Sequence, residues 1–249
     1  MPWFEARDIR KVFELGDGTG EVTVALDDFS LSAERGDFVA IVGRSGSGKT
    51  TFLRIVAGLL ERTSGALLFD EREKRGTAKI GMVFQEPRLM PWLTVERNIL
   101  FSALNGPKKN IPYDKATHLL ALLGLEKYRH AYPAQLSGGM AQRVALGRAL
   151  CYEPELILMD EPLGSLDYFT RRSLQEEILK LYFAERKTIF LVTHDVSEAL
   201  SMSRRVVVLD RGRMIGDVAV DLPYPRKQTD RRFAELLEKI LSLITGEGQ

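Results

Sequence analysis

Cysteine is nearly absent from this sequence. Cys151 is the only one, so no internal disulfide can form, which fits a reducing compartment, and its thiol reads as a small apolar group inside the fold. An excess of either charge is missing too. Thirty-five basic residues against thirty-four acidic ones leave a net charge of +1. A nucleic-acid binder usually carries a basic excess or a basic stripe, so no nucleic-acid partner is expected. No apolar run approaches the roughly 20 residues needed to cross a bilayer, so any transport role needs a separate membrane partner. Residues 1–8 contain acidic side chains and no apolar stretch, unlike a signal peptide. Internal repeats and low-complexity segments are also lacking.

What is present suits one globular unit with subdomains: 249 residues, 45% hydrophobic and 28% charged. Residues 4–13 and 21–31 read as strands joined by the turn cluster Gly16-Asp17-Gly18-Thr19-Gly20, an antiparallel hairpin region. A short apolar strand at 38–42 runs into a glycine-rich loop, and a helix at 50–60 follows with Phe52, Leu53, Val56 and Leu60 on one face. Strands are expected at 67–69 and 79–85. Strand signals then stop, and amphipathic helices at 94–104, 114–123 and 138–150 replace them. An α/β rhythm returns with a strand at 156–159, a helix at 167–183, a strand at 188–193 and a hairpin of 206–209 with 214–220. Phe233, Leu236, Leu237, Ile240 and Ile244 mark a final amphipathic helix. The expected fold class is therefore α/β, with an antiparallel β subdomain and an inserted α-helical subdomain. The expected boundaries are 1–86 and 151–222 for the core with its β subdomain, 87–150 for the helical insert and 223–249 for a helical tail.

The loop Gly43-Arg44-Ser45-Gly46-Ser47-Gly48-Lys49-Thr50 fits the pattern G-x-x-x-x-G-K-[ST]. Glycines let the chain turn tightly, so that successive N–H groups point at phosphate oxygens, and the helix that follows adds its positive end. Lys49 offers a point charge to the β- and γ-phosphates, and Thr50 offers a hydroxyl to Mg²⁺. For Arg44 and Ser45 the backbone matters, and their side chains can simply face solvent. A surface turn rich in glycine and serine is the competing reading, and the strand before the loop and the helix after it argue against that.

Leu156-Ile157-Leu158-Met159 is a continuous apolar run, as expected of a strand covered on both faces, and Asp160-Glu161 stand at its carboxyl end. A carboxylate at that place suits Mg²⁺, which takes hard oxygen ligands and keeps waters. Asp160 would hold the metal and Glu161 would polarise the attacking water; a helix-start pair before Pro162 is the alternative. His194 ends another apolar strand and precedes Asp195, where a local helix-capping role is the bland reading.

Between these motifs lies Leu136-Ser137-Gly138-Gly139-Met140. Taken in this order, the three segments resemble those of ATP-binding cassette (ABC) ATPases, and the resemblance runs from about Phe4 to Val220. It implies that the α/β core is a P-loop NTPase (RecA-like) core, and that the chain is an ATP hydrolase that binds ATP and Mg²⁺ and works as a homodimer. In such a dimer Ser137, Gly138, Gly139 and Gln142 reach the nucleotide of the other copy, and Asp167 faces the partner subunit. Ser137 is also a plain N-cap, since capping and anion binding use the same groups. The resemblance further places Thr51 at the nucleotide, His194 at the γ-phosphate, and Gln85 at the metal and water. It puts Phe13 against adenine, with a strand-core residue as the alternative.

The chain departs from the family's habit at Ala141 and Gly147, and Gly147 should weaken its helix by roughly 0.5–1 kcal/mol relative to Ala. Residues 85–95 resemble the segment of importer ATPases for nitrate, sulfonate, taurine and related small anions, and also for thiamine precursors. The resemblance implies docking of integral membrane permease subunits there, a solute-binding protein in the full system, and a peripheral place on the cytoplasmic face of the cell membrane. Pro91 and Trp92 read either as an interface anchor or as helical-subdomain core. An exporter or lipid-trafficking cassette, a soluble ABC ATPase of repair or translation, and a purely structural nucleotide binder are the rival functions. The tail after Val220 is too short for the regulatory domain that some import ATPases append.

Overall fold

The apolar runs and glycine breaks of the sequence become alternating strands and helices in the computed structural model, which describes residues 2–14, 22–70, 72–73, 78–104 and 111–246. The chain opens with β1 (Phe4–Glu14), β2 (Val22–Ala33) and β3 (Phe38–Val42), followed by α1 (Lys49–Val56), β4 (Ser64–Phe69) and β5 (Arg72–Glu73). Next come β6 (Ile80–Val83), α2 (Val95–Ile99), α3 (Phe101–Leu104), α4 (Tyr113–Leu122) and α5 (Gly138–Cys151). The remainder is β7 (Leu156–Asp160), α6 (Tyr168–Glu185), β8 (Thr188–Val192), α7 (Val196–Met202), β9 (Arg205–Asp210), β10 (Arg213–Ala219) and α8 (Arg231–Thr245). None of the described helices is long and apolar enough to cross a membrane. The turn cluster at 16–20 lies outside the described residues.

Two compact units result. The first is made of Met1–Ala78 and Thr188–Gln249, the second of Lys79–Lys187. The first unit holds an antiparallel sheet ordered β2-β1-β4-β5, with β1 central and paired to both β2 and β4. It also holds strands ordered β10-β9-β3-β8, in which β3 runs parallel to both β8 and β9. All five residues of β3 and of β8 are buried, which is why both read as unbroken apolar runs. Aromatic rings join this unit's layers: Phe29 meets Phe52 of α1 at 4.6 Å, and Phe4 meets Phe190 at 5.0 Å and Phe69 at 5.2 Å, all edge to face. Helix α8 buries Phe233 and Ile240 in a cluster that includes Val42, Leu200, Val206 and Val218.

In the second unit β6 and β7 form a parallel pair, and α5 packs on β6, α2, α3, α4 and α6. The helices expected as a separate insert thus share a unit with these two strands. A side chain at Gly81 of β6 would lie 3.1 Å from the Ala149 carbonyl of α5, so strand and helix are in close contact. Gly147 has a comparable reason. A Cβ there would sit 3.0 Å from Leu123 and 3.3 Å from Ile99, so the missing methyl lets α2 and the end of α4 approach α5.

Several expected elements differ in extent. The helix read as 50–60 ends at Val56, because Ala57 caps it and Gly58 turns left-handed at φ 73°. The helix read as 94–104 is two short helices that meet at Leu100. Helix α7 is an addition that follows Asp195, whose side chain accepts from the Glu198 N–H.

Candidate functional site

In the first unit the loop of residues 43–50 joins the buried strand β3 to α1. Gly48 stands at the helix start in the left-handed region (φ 106°), and no side chain caps the helix. A Cβ at Gly48 would lie 2.3 Å from the Ala25 carbonyl of β2, so a larger residue is excluded on steric as well as conformational grounds. The β9–β10 turn closes the other side. The Gly212 N–H donates to the Ser47 carbonyl at 3.0 Å, and the Leu209 carbonyl lies 2.0 Å from where a Gly43 Cβ would be. Lys49, only 6% exposed, folds over the loop and donates from Nζ to the carbonyls of Gly43 and Arg44, each at 2.8 Å. Ser47 Oγ is buried within the loop without a hydrogen-bond partner. Arg44, Ser45 and Gly46 are exposed, while Thr50 and Thr51 are half-buried in the first turn of α1. The loop therefore fits a phosphate group: a helix start without a side-chain cap, a buried lysine and an orphaned hydroxyl share one small volume.

His194 also lies in the first unit, exposed, in the turn between β8 and α7. The turn is braced by Thr193, whose Oγ1 accepts from the Asp195 N–H at 3.1 Å and donates to Glu198 Oε2 at 3.2 Å. Asp195, rather than His194, caps the helix. Phe13, on β1, is 39% exposed with Lys11 Nζ 4.8 Å from its ring centroid, so it is a surface aromatic and not a core residue.

The second unit carries the carboxylates. Asp160 is the last residue of the buried strand β7. Glu161 follows at φ 48°, a left-handed conformation uncommon for a side chain of its size and of the kind that collects at working sites. Gln85 reaches the same neighbourhood: its Nε2 and Glu161 Oε2 lie 3.6 and 3.7 Å from the position a Gly164 Cβ would take. A larger residue at 164 would crowd both.

Ser137 and Gly138 are exposed at the start of α5, and Ser137 Oγ accepts from the Met140 N–H at 3.3 Å. Gly139 is buried against α6, where a Cβ would meet Thr170 Cγ2 at 2.2 Å. Asp167 caps α6, accepting from the N–H groups of Phe169 and Thr170 at 3.1 Å. Its hydrogen bond with the Thr170 side chain, assisted by these N–H donors, holds its carboxyl below the usual aspartate range. Ser137, Gly138 and Asp167 thus share one exposed corner. Sequence reasoning passed over its most exposed aromatics, Tyr168 at 64% and Phe169 at 80%. Their only sequence signal was their place directly after Asp167.

Gln142 departs from expectation. Its side chain points inward, is 2% exposed, and donates to the Phe84 carbonyl at 2.8 Å, so it is not on the surface with Ser137 and Gly138. Five positions along the chain from the Ser137 cap, it falls on the face turned into the unit. Trp92 is 70% exposed and therefore not core. Its loop is held by Asn98, fully buried on α2, which accepts from Met90 N–H and donates to the carbonyls of Met90, Leu93 and Thr94 at 3.0–3.1 Å. An asparagine inside an amphipathic pattern gave no warning of that role.

A strand, glycine loop and helix with a buried lysine define a P-loop nucleotide-binding protein with an α/β fold. The ABC transporter family matches residues 26–164, more than half of the chain. An ABC transporter ATP-binding protein of Methanocaldococcus jannaschii is 44% identical over 98% of this chain and 91% of its own. The aliphatic sulfonates import ATP-binding protein SsuB of Bacillus cereus is 40% identical over 94% of this chain and 92% of its own. Among solved structures, a dimeric ATP-binding cassette in a post-hydrolysis state, bound to ADP and Pi, superposes with a TM-score of 0.76 at 31% identity, covering 88% of this chain and 100% of that one. The chain belongs to the ABC transporter family, as an ATP-hydrolysing transport ATPase.

Proposed function

We propose that the chain is the motor subunit of an importer for small organic anions of the sulfonate type, acting as a dimer on the cytoplasmic face of a membrane. The names of the relatives support the solute class, and the dimeric cassette among similar structures supports the assembly. The single observation that carries the reading is the exposed corner of the second unit. Ser137, Gly138 and Asp167 stand there beside Tyr168 and Phe169, a helix end and an aromatic pair open to a second copy.

In this reading the backbone of residues 43–48 and Lys49 hold the phosphates, and Phe13 offers an exposed ring to adenine. Thr50, Gln85 and Asp160 supply the oxygen donors for Mg²⁺, which neutralises phosphate charge when bound. Among the described residues no group of three His, Cys, Asp or Glu side chains converges. That suits a metal held partly by phosphate and water. Glu161 polarises the attacking water, and His194 donates to the γ-phosphate. Catalysis is then largely positioning and charge neutralisation.

Residues 85–95 dock the membrane subunit. They present Trp92 on a fixed loop, and Phe84 and Met90 wall a cavity of about 340 Å³ together with Phe101 and Tyr152. A helix of the membrane subunit suits that cavity, whose walls also include Arg88 and Arg148.

Replacing Glu161 with Gln tests the reading. Turnover should fall by about 10²–10⁴-fold while ATP binding persists and a dimer accumulates on size-exclusion chromatography with ATP. Unchanged turnover removes the catalytic role, and a monomer under saturating ATP removes the dimer.

A further inference from the structure

Helix α5 starts at Ser137, and two of its inner side chains reach the loop that carries Gln85. Gln142 Nε2 donates to the Phe84 carbonyl at 2.8 Å. Nearly two turns later Arg148 donates to the carbonyl of Pro87 through Nη2 and of Arg88 through Nη1, each at 2.8 Å. These bonds fall on both sides of Gln85 and Glu86 and leave those two side chains exposed. We propose that Gln142 and Arg148 are positioning residues for ATP hydrolysis, holding the backbone on either side of Gln85 so that this glutamine moves with α5 and therefore with the Ser137–Gly139 end. The proposal rests on reading Gln85 as a nucleotide-site residue.

Three observations separate this from ordinary packing. Gln142 Oε1 is buried with no hydrogen-bond partner, so half of the amide is desolvated without return. Methionine would fill the same volume without that penalty, and stability alone does not account for glutamine here. Arg148 is a guanidinium taken into the unit, where burial pushes its pKa down, and its donors go to two consecutive carbonyls rather than to a carboxylate. Arg88, one of the residues so held, has φ 46°, a conformation that a non-glycine residue keeps only under constraint. Asn98 fixes Met90–Thr94 beyond it, so little slack remains between α5 and the loop.

The test compares Gln142→Met, Arg148→Lys and Gln85→Ala in the full chain, each alone and Gln142→Met combined with Gln85→Ala. Thermal unfolding, ATP affinity, and kcat and KM for ATP hydrolysis are measured. Gln142→Met should unfold no earlier than the parent and bind ATP with unchanged affinity. Its kcat should drop at least about tenfold at constant KM, as expected when a reacting group is displaced. Arg148→Lys, which can still bond one carbonyl, should lose less. In the Gln85→Ala background Gln142→Met should lower kcat no further.

A kcat for Gln142→Met within about twofold of the parent overturns the proposal, and so does a full additional loss in the Gln85→Ala background. If Gln85→Ala lowers turnover but Gln142→Met and Arg148→Lys do not, only the positioning is wrong. If Gln85→Ala leaves turnover unchanged, the reading of Gln85 falls and the proposal falls with it.

Discussion

Helices α1 and α5 both begin with glycine and serine, yet their first turns are built in opposite ways. α1 has Gly48 at its start and no side-chain cap, and the loop before it is walled by β2 and the β9–β10 turn. α5 brings its own acceptor, Ser137 Oγ, and opens onto solvent. A helix start without a side-chain acceptor keeps its N–H groups for a phosphate that lodges in a rigid cradle. A helix that caps itself folds without any ligand and can meet an anion that arrives with a second copy. The first arrangement suits permanent binding, the second transient closure.

Lys49→Ala should break the contrast most severely. Removing its charge from the buried loop should weaken ATP binding about 100-fold or more, measured by calorimetric titration. Ser137→Ala should leave the ATP affinity of the monomeric chain unchanged. Equal losses in the two variants would erase the distinction between a cradle and a lid.

Gly48→Ala and Gly139→Ala sharpen it next. Both should destabilise by about 1–3 kcal/mol through overpacking, Gly48→Ala at the upper end because it meets backbone at positive φ. The Cβ at 139 meets only a methyl of Thr170, so adding Thr170→Ser should restore most of the melting temperature. Failure of that rescue would show that Gly139 serves some need other than room for Thr170.

Ser137→Ala should itself cost about 1 kcal/mol on denaturant unfolding, the worth of an N-cap. The smallest effect concerns Asp167. Its carboxyl is held below the ordinary aspartate range, so the stability it lends is complete above that range and disappears as pH falls through the lowered value. Asp167→Asn should flatten the acid limb of a melting-temperature profile, lowering the neutral-pH value slightly and leaving the acid end nearly untouched.

Local patterns were the legible part. The loop at 43–50, the buried strands β3, β7 and β8, and the amphipathic α8 follow from spacing and apolar runs alone. The parallel arrangement of β3 between β8 and β9 was not written locally, because pairing across more than a hundred residues leaves no periodic trace. Inner and outer faces of helices were equally opaque. α5 is buried round most of its circumference, Val144, Leu146 and Leu150 included, so no single apolar stripe marked Gln142 as buried or Arg148 as bound to a loop. Asn98 and Trp92 show the same gap from opposite sides: a polar residue goes fully inside, and a large aromatic stays out.

By itself the sequence determined the chemistry at single elements: which loop fits a phosphate, which strand ends in carboxylates, which helix start is capped. Backbone geometry and side-chain type suffice there, since the interacting groups lie within a few residues of each other. Only the tertiary structure decided which of those groups share a neighbourhood. Gln85 beside Glu161, Gly139 against Thr170, and α5 tied to Phe84 and Arg88 are contacts between distant segments. Such contacts are fixed by packing, where the volume and polarity of the whole neighbourhood, and not the local pattern, select each partner.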